Sequence, residues 1–214
     1  MRRTDMRTAI IIVSVVALTL FGAGSAGAWV TLPSGICWLT GGGVKFEPVT
    51  GTRLAEHQPQ VTFGGNVHPA CDGAGAGGNW NHVDHDSKLH FHGTDIPNIG
   101  CGNVEPPGST SPDTPFNVIE FAGSGTLQGI AGNKDDFGTV CFAARAEDRN
   151  EPGSNGAKDG ALIDRYSLVV FDCGTGQPLL VFGDGTGNEI PTPVPITGGN
   201  LQMHSNPCDN PPLQ

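Results

Sequence analysis

The stretch from Asn79 to Gly93 reads NWNHVDHDSKLHFHG and places four histidines within fifteen residues. Neutral imidazole is a common ligand for Zn²⁺, Cu²⁺ and Ni²⁺, so a hairpin of this composition is a candidate metal site. A turn made of His85, Asp86 and Ser87 would set Asp84 opposite Lys88, His82 opposite His90, and Trp80 opposite His92. Residues alternate faces along a strand. Val83, Leu89 and Phe91 then fall on one side, and Trp80, His82, Asp84, Lys88, His90 and His92 on the other. This register collects the aliphatic residues and Phe91 on a core face, whereas a two-residue turn scatters them. It predicts that His82, His90 and His92 share an exposed face, with opposed Cβ atoms about 4.5–5.5 Å apart. Such a set could hold one divalent transition metal, with Asp84 or water completing the shell. The competing expectation is a solvated polar face, which Lys88 beside the cluster favours. On that expectation no cofactor is required for folding.

Other chemistries fit less well. Copper–zinc superoxide dismutase has its HxH ahead of a loop with further histidines and an aspartate, but here the cluster precedes HxH and only His204 follows. A cupin wants glutamate about four residues after HxH, where Ile96 and Pro97 stand. No GxSxG stretch supplies a nucleophile elbow. Glu120 with Glu147 or Asp148 could imitate a glycosidase dyad, although carboxylates on separate strands are usually only solvated. The loop EDRNEPGSNGAKDG offers Asp148, Asn150 and Asp159 to calcium, but Pro152 occupies a position where an oxygen ligand is wanted. Trp38 or Trp80 could serve as a stacking platform for carbohydrate. No catalytic residue is assigned, and enzymatic activity is not expected.

The rest of the chain bounds these options. Arg2, Arg3 and Arg7 are followed by an apolar run from Ala9 to Phe21 and by GAGSAGA, ending at Ala28. That succession is the layout of a secretory signal peptide, predicting cleavage after Ala28 and an extracellular protein. At 13 residues (9 to 21) the apolar run is too short to cross a bilayer, which takes roughly 20. Residues 29–214 are then one secreted domain. Removing Arg2, Arg3, Arg7 and Asp5 from the 11 basic and 21 acidic residues leaves 8 against 20, a formal charge of −12. Such a surface repels phosphate backbones and anionic lipid, which excludes nucleic acid as an expected partner. An extracellular matrix, a cell surface or a carbohydrate remains.

After the first 28 residues no window carries a helical apolar period. Short runs (QVTFGG, KLHFHG, FNVIEFAG, TVCFAARAE, LIDRYSLVVF, PLLVFG, NLQMH) stand between Gly- and Pro-rich turns. Such spacing predicts an all-β fold, an antiparallel sandwich or barrel-like sandwich. Six cysteines in an exported chain read as three disulfides, and none has CxxC spacing. TVCFAARAE and LIDRYSLVVF should pair as a hairpin, which brings Cys141 close to Cys173. Cys71 and Cys101 bracket the histidine hairpin and are expected to pair, leaving Cys37 with Cys208.

Taken in order, WLTGGG, VTFGGN, HVDH, LHFHG, FAGSGTLQG, AEDRNEPG, RYSLVVF and GGNLQMH resemble the post-COAP family of secreted bacterial β-domains. The resemblance runs from about Leu39 to His204. The six cysteines and the loops 102–115 and 149–161 depart from it. It implies an all-β extracellular domain and brings no established activity. Positions matching the family's motifs are Asp84, His85, His92 and His204.

Overall fold

A computed structural model describes residues 37–46, 59–69, 77–105, 114–149, 163–185 and 189–205. The chain forms β1 (Cys37–Phe46), β2 (Pro59–His68), β3 (Gly77–Asp84), β4 (Leu89–Gly102) and β5 (Val118–Gly129). Then come β6 (Asp136–Glu147), β7 (Arg165–Phe171), β8 (Pro178–Phe182), the short β9 (Val194–Pro195) and β10 (Gly198–Ser205). All pairings are antiparallel, in the order β10-β1-β2-β3-β4-β5-β6-β7-β8, with β9 added to β7. The all-β expectation holds. The architecture is one curled sheet whose inner face wraps the core. Among the described residues no helix is long and apolar enough to cross a membrane.

Alternation explains the core. Leu39 and Cys37 from β1, Phe63 and Val67 from β2, and Phe121 and Leu127 from β5 are buried at period-two positions. So are Phe142 and Ala144 from β6, and Tyr166, Leu168 and Val170 from β7. Aromatic rings join distant strands across the interior. Phe63 of β2 stacks on Tyr166 of β7 at 4.0 Å, and Trp80 of β3 meets Phe121 of β5 edge-on at 5.2 Å. The Trp80 indole N–H donates to the Tyr166 hydroxyl at 2.9 Å, which gives this buried donor its acceptor.

Curling brings the free edge of β10 to the ends of β6 and β7, and two buried carboxylates close that seam. Asp148 Oδ2 accepts the Met203 N–H at 2.7 Å, and Asp164 Oδ2 accepts the Leu201 N–H at 2.8 Å. Asp164 Oδ1 takes the Arg149 N–H at 2.8 Å. An edge strand otherwise presents unpaired backbone donors. Charge-assisted bonds of this kind are about twice as strong as neutral ones. Where β10, β1 and β2 meet, Gly41 (φ 122°) lies opposite Gly65 (φ 155°). A Cβ on Gly41 would collide with the Asn200 carbonyl, so this close approach needs glycine.

The expected β6–β7 hairpin is present, with Cys141 opposite Phe171, and Cys141 is joined to Cys173 across 5.0 Å between Cα atoms. The other expected pairings are overturned. Cys37 is bonded to Cys101, with Cα atoms 6.4 Å apart. Cys37 opens β1 and Cys101 closes β4, and the curl brings these ends together although they are 64 residues apart. Cys71 and Cys208 lie outside the described residues, as do the signal-peptide segment and most of the loops 102–115 and 149–161. The last residues of β2 and β10 flank the start of β1, since Cys37 faces Ser205 and Leu39 faces Val67. Non-reducing peptide mapping is therefore expected to return Cys37–Cys101 and Cys141–Cys173. A Cys71–Cys101 peptide would contradict this arrangement.

Candidate functional site

The histidine hairpin forms, but one residue out of the expected register. Its turn has four residues, so Asp84 pairs with Leu89, Val83 with His90, His82 with Phe91, and Asn81 with His92. The reason is local. Asp84 Oδ1 accepts the N–H groups of both Asp86 and Ser87 at 2.9 Å, and Lys88 takes the left-handed conformation (φ 57°) that returns the chain. A second effect reinforces it. Placing Trp80 inward buries an entire indole, more apolar area than Val83 could offer in its place.

That shift separates the three histidines. His82 is fully buried on the inner face, between Tyr166 (ring centroids 5.9 Å) and Phe182 (5.4 Å). Neither ring nitrogen has a hydrogen-bond partner. Burial, with smaller contributions from His85 and His90, pushes its pKa down to about 3. His90 and His92 are on the outer face, with near-parallel rings (9°) and centroids 6.3 Å apart. The expected His82/His90/His92 metal set is thus corrected, because the outer face holds two of the three imidazoles. Among the described residues no group of three or more His, Cys, Asp or Glu side chains is arranged to hold an ion. Trp80 is equally unavailable as a sugar platform, being buried beside Tyr166.

The remaining sequence candidates are scattered. Asp84 is the acceptor that shapes the turn. His85 is exposed, its Nε2 3.1 Å from Thr62 Oγ1. His204 is on β10, stacked on Trp38 at 4.0 Å and hydrogen-bonded through Nε2 to Thr40 Oγ1 at 2.9 Å. The carboxylates Glu120 and Glu147 of the imagined dyad are held in ion pairs. Arg145 stands between Glu120 (3.3 Å) and Glu147 (3.0 Å), and Arg149 also binds Glu147. Glu147 is only 3 % exposed. Burial raises the Glu120 pKa and Arg145 opposes that rise. Asp148 serves the β10 seam, and Asn150 and Asp159 of the imagined calcium loop lie outside the described residues.

One surface stands out by chemistry. Outward positions on β10, β1, β2 and β3, and on the Leu89–Gly93 part of β4, carry amides, hydroxyls, imidazoles, small or apolar side chains and one indole. None is Asp, Glu, Lys or Arg, although the chain has 32 such residues (21 acidic, 11 basic). Lys45 and Asp84 fall on the inward phase, opposite Val61 of β2 in each case. Across the middle run Asn66, Asn79 and Asn81. Asn66 Oδ1 accepts the Asn79 N–H (3.1 Å), and Asn81 Nδ2 donates to Asn79 Oδ1 (3.4 Å). His90 Nε2 donates to Asn81 Oδ1 (3.2 Å). Trp38 and His204 stand at one end of the row, and His90 and His92 at the other. Burial holds His90 and His204 below the ordinary imidazole pKa, with the neighbouring His92 adding to the effect at His90. Sequence reading missed this surface because its residues come from five strands. The alternation of Thr, Asn and Gln with apolar residues was the only signal.

Comparison with protein-family models, with curated proteins and with solved structures finds no match to this chain.

Proposed function

We propose that this is a secreted, non-enzymatic binding domain that associates with a surface or an extracellular polymer through the outer face of β10-β1-β2-β3-β4. One observation carries the reading: an uncharged, hydrogen-bonding sheet face on a strongly acidic chain. A solvated face with no partner usually bears charged residues. Two disulfides fit an oxidising compartment. The basic, apolar and small-residue layout of residues 1–28 supports export, as does the resemblance to secreted post-COAP domains. Against an enzyme, the carboxylates that could act as acid and base are tied to arginines or to backbone N–H groups.

The test is co-sedimentation of purified residues 29–214 with insoluble cell-envelope and extracellular-matrix material. Saturable binding without release of soluble fragments is the expected result. Absence of binding, or turnover of the material, would overturn the reading.

A further inference from the structure

We propose that the occupant of this face is a neutral polysaccharide chain, with Trp38 as its apolar contact and the Asn66–Asn79–Asn81 amides as its hydrogen-bonding row. The inference rests on the binding role above and names its ligand class.

Charge selects the class. A chain of net charge −10 could easily have put carboxylates on the outward positions of β10, β1, β2, β3 and the Leu89–Gly93 part of β4, and these positions have none. It also lacks Lys and Arg, so it offers no ion pair to an acidic polymer, to nucleic acid or to an anionic lipid headgroup. A hydrated ion pairs poorly with such a face, whereas a polyhydroxylated neutral chain matches it group for group. Each carboxamide brings two donors and an acceptor, and each hydroxyl can do either. Bonds within the Asn66–Asn79–Asn81 row use only part of that capacity while holding the side chains in place. Hydroxyl-rich ligands reward such fixed donors, since an imperfectly paired polar group loses affinity.

The indole provides the second element. Sugar rings present C–H faces that pack on aromatic surfaces, and Trp is well suited because one end is apolar and the other polar. Trp38 is half-buried, with one face covered by His204 at 4.0 Å and the His204 ring anchored by Thr40. A side chain so supported loses little rotamer freedom when a ligand arrives. The strands beneath are paired on both sides from β1 to β4, and a rigid scaffold holds a site better than loops do.

The experiment is affinity electrophoresis of residues 29–214 in gels containing neutral polysaccharides (β-1,3- and β-1,4-glucans, xylan, mannan, dextran) or the anionic polymers alginate and heparin. Retardation by at least one neutral polymer, persisting at high salt, is expected. Trp38→Ala should weaken it about tenfold or more, the loss seen at an aromatic anchor. Asn81→Asp should weaken it comparably, by placing a charge in the row. Trp38→Phe keeps an aromatic anchor and should retain much of the binding, so a folding defect is distinguished from a lost contact. No retardation by any neutral polymer overturns the inference, as does retardation unchanged in both Trp38→Ala and Asn81→Asp. Binding only to the anionic polymers, abolished by salt, also overturns it. If the domain sediments with envelope material yet ignores every polysaccharide, the ligand is a protein and only this inference falls. If it does neither, the binding role falls as well.

Discussion

Acidification to pH 4.5 is expected to remove about 3 kcal/mol of stability through His82 alone. In the unfolded chain this imidazole titrates at the ordinary value of 6.5, whereas burial in the fold pushes it down to about 3. Above 6.5 it is neutral in both states and costs nothing through titration. Below 6.5 the unfolded chain takes up a proton that the native state refuses. Stability therefore falls with pH by about 1.4 kcal/mol per unit from 6.5 toward 3. Two units give the figure above. The environment explains the refusal. Both ring nitrogens lack partners, and Tyr166 and Phe182 line the site, so a cation there has no counter-charge. His82→Leu replaces the ring with an apolar side chain and should abolish this part of the acid sensitivity. It should leave stability at pH 7 unchanged or raised by about 1 kcal/mol, because two unsatisfied buried atoms disappear. Guanidinium unfolding of both proteins at pH 7 and pH 4.5 measures the difference. Equal pH dependence in the two would show that His82 does not titrate as its burial requires.

The largest loss from a single polar substitution is expected at Asp164. Its two oxygens accept different backbone N–H groups, Arg149 on Oδ1 and Leu201 on Oδ2. One carboxylate thus links the β6–β7 end to the open edge of β10. Asp164→Ala leaves both donors without this acceptor in a site where Asp164 itself is 5 % exposed. Each charge-assisted bond contributes about 1.5–3 kcal/mol, so the loss should be about 3–5 kcal/mol. Asp164→Asn is the sharper experiment, because it keeps shape and volume. One of its two terminal atoms becomes an amide nitrogen facing an N–H, so one bond is replaced by a clash of donors. About 2–3 kcal/mol is expected for that change. Glu120→Gln, at a partly exposed ion pair, should cost less than 1 kcal/mol. Denaturant midpoints with unchanged m-values decide the matter. A loss below 1 kcal/mol for Asp164→Asn would mean that these carboxylate bonds do not hold the seam.

By itself the amino-acid sequence determined the fold class, the β6–β7 hairpin and one disulfide, because each depends on neighbours along the chain. Period-two apolar runs between Gly- and Pro-rich turns are local signals for antiparallel strands. TVCFAARAE and LIDRYSLVVF meet across one loop, so Cys141 and Cys173 could be paired from spacing. The chemistry of the histidine stretch was visible, but its register was not. A three-residue and a four-residue turn differ by one position, and that difference moves His82 from solvent to core. The turn capped by Asp84 favours the four-residue form locally, and the burial of Trp80, whose N–H is received by Tyr166 86 residues away, reinforces it. Only the tertiary structure decided the Cys37–Cys101 bond, the carboxylate seam at β10 and the uncharged outer face. Each joins strands distant in sequence, brought together by the curl of the sheet. Curl arises from the summed twist of many strands, which no single stretch of residues encodes.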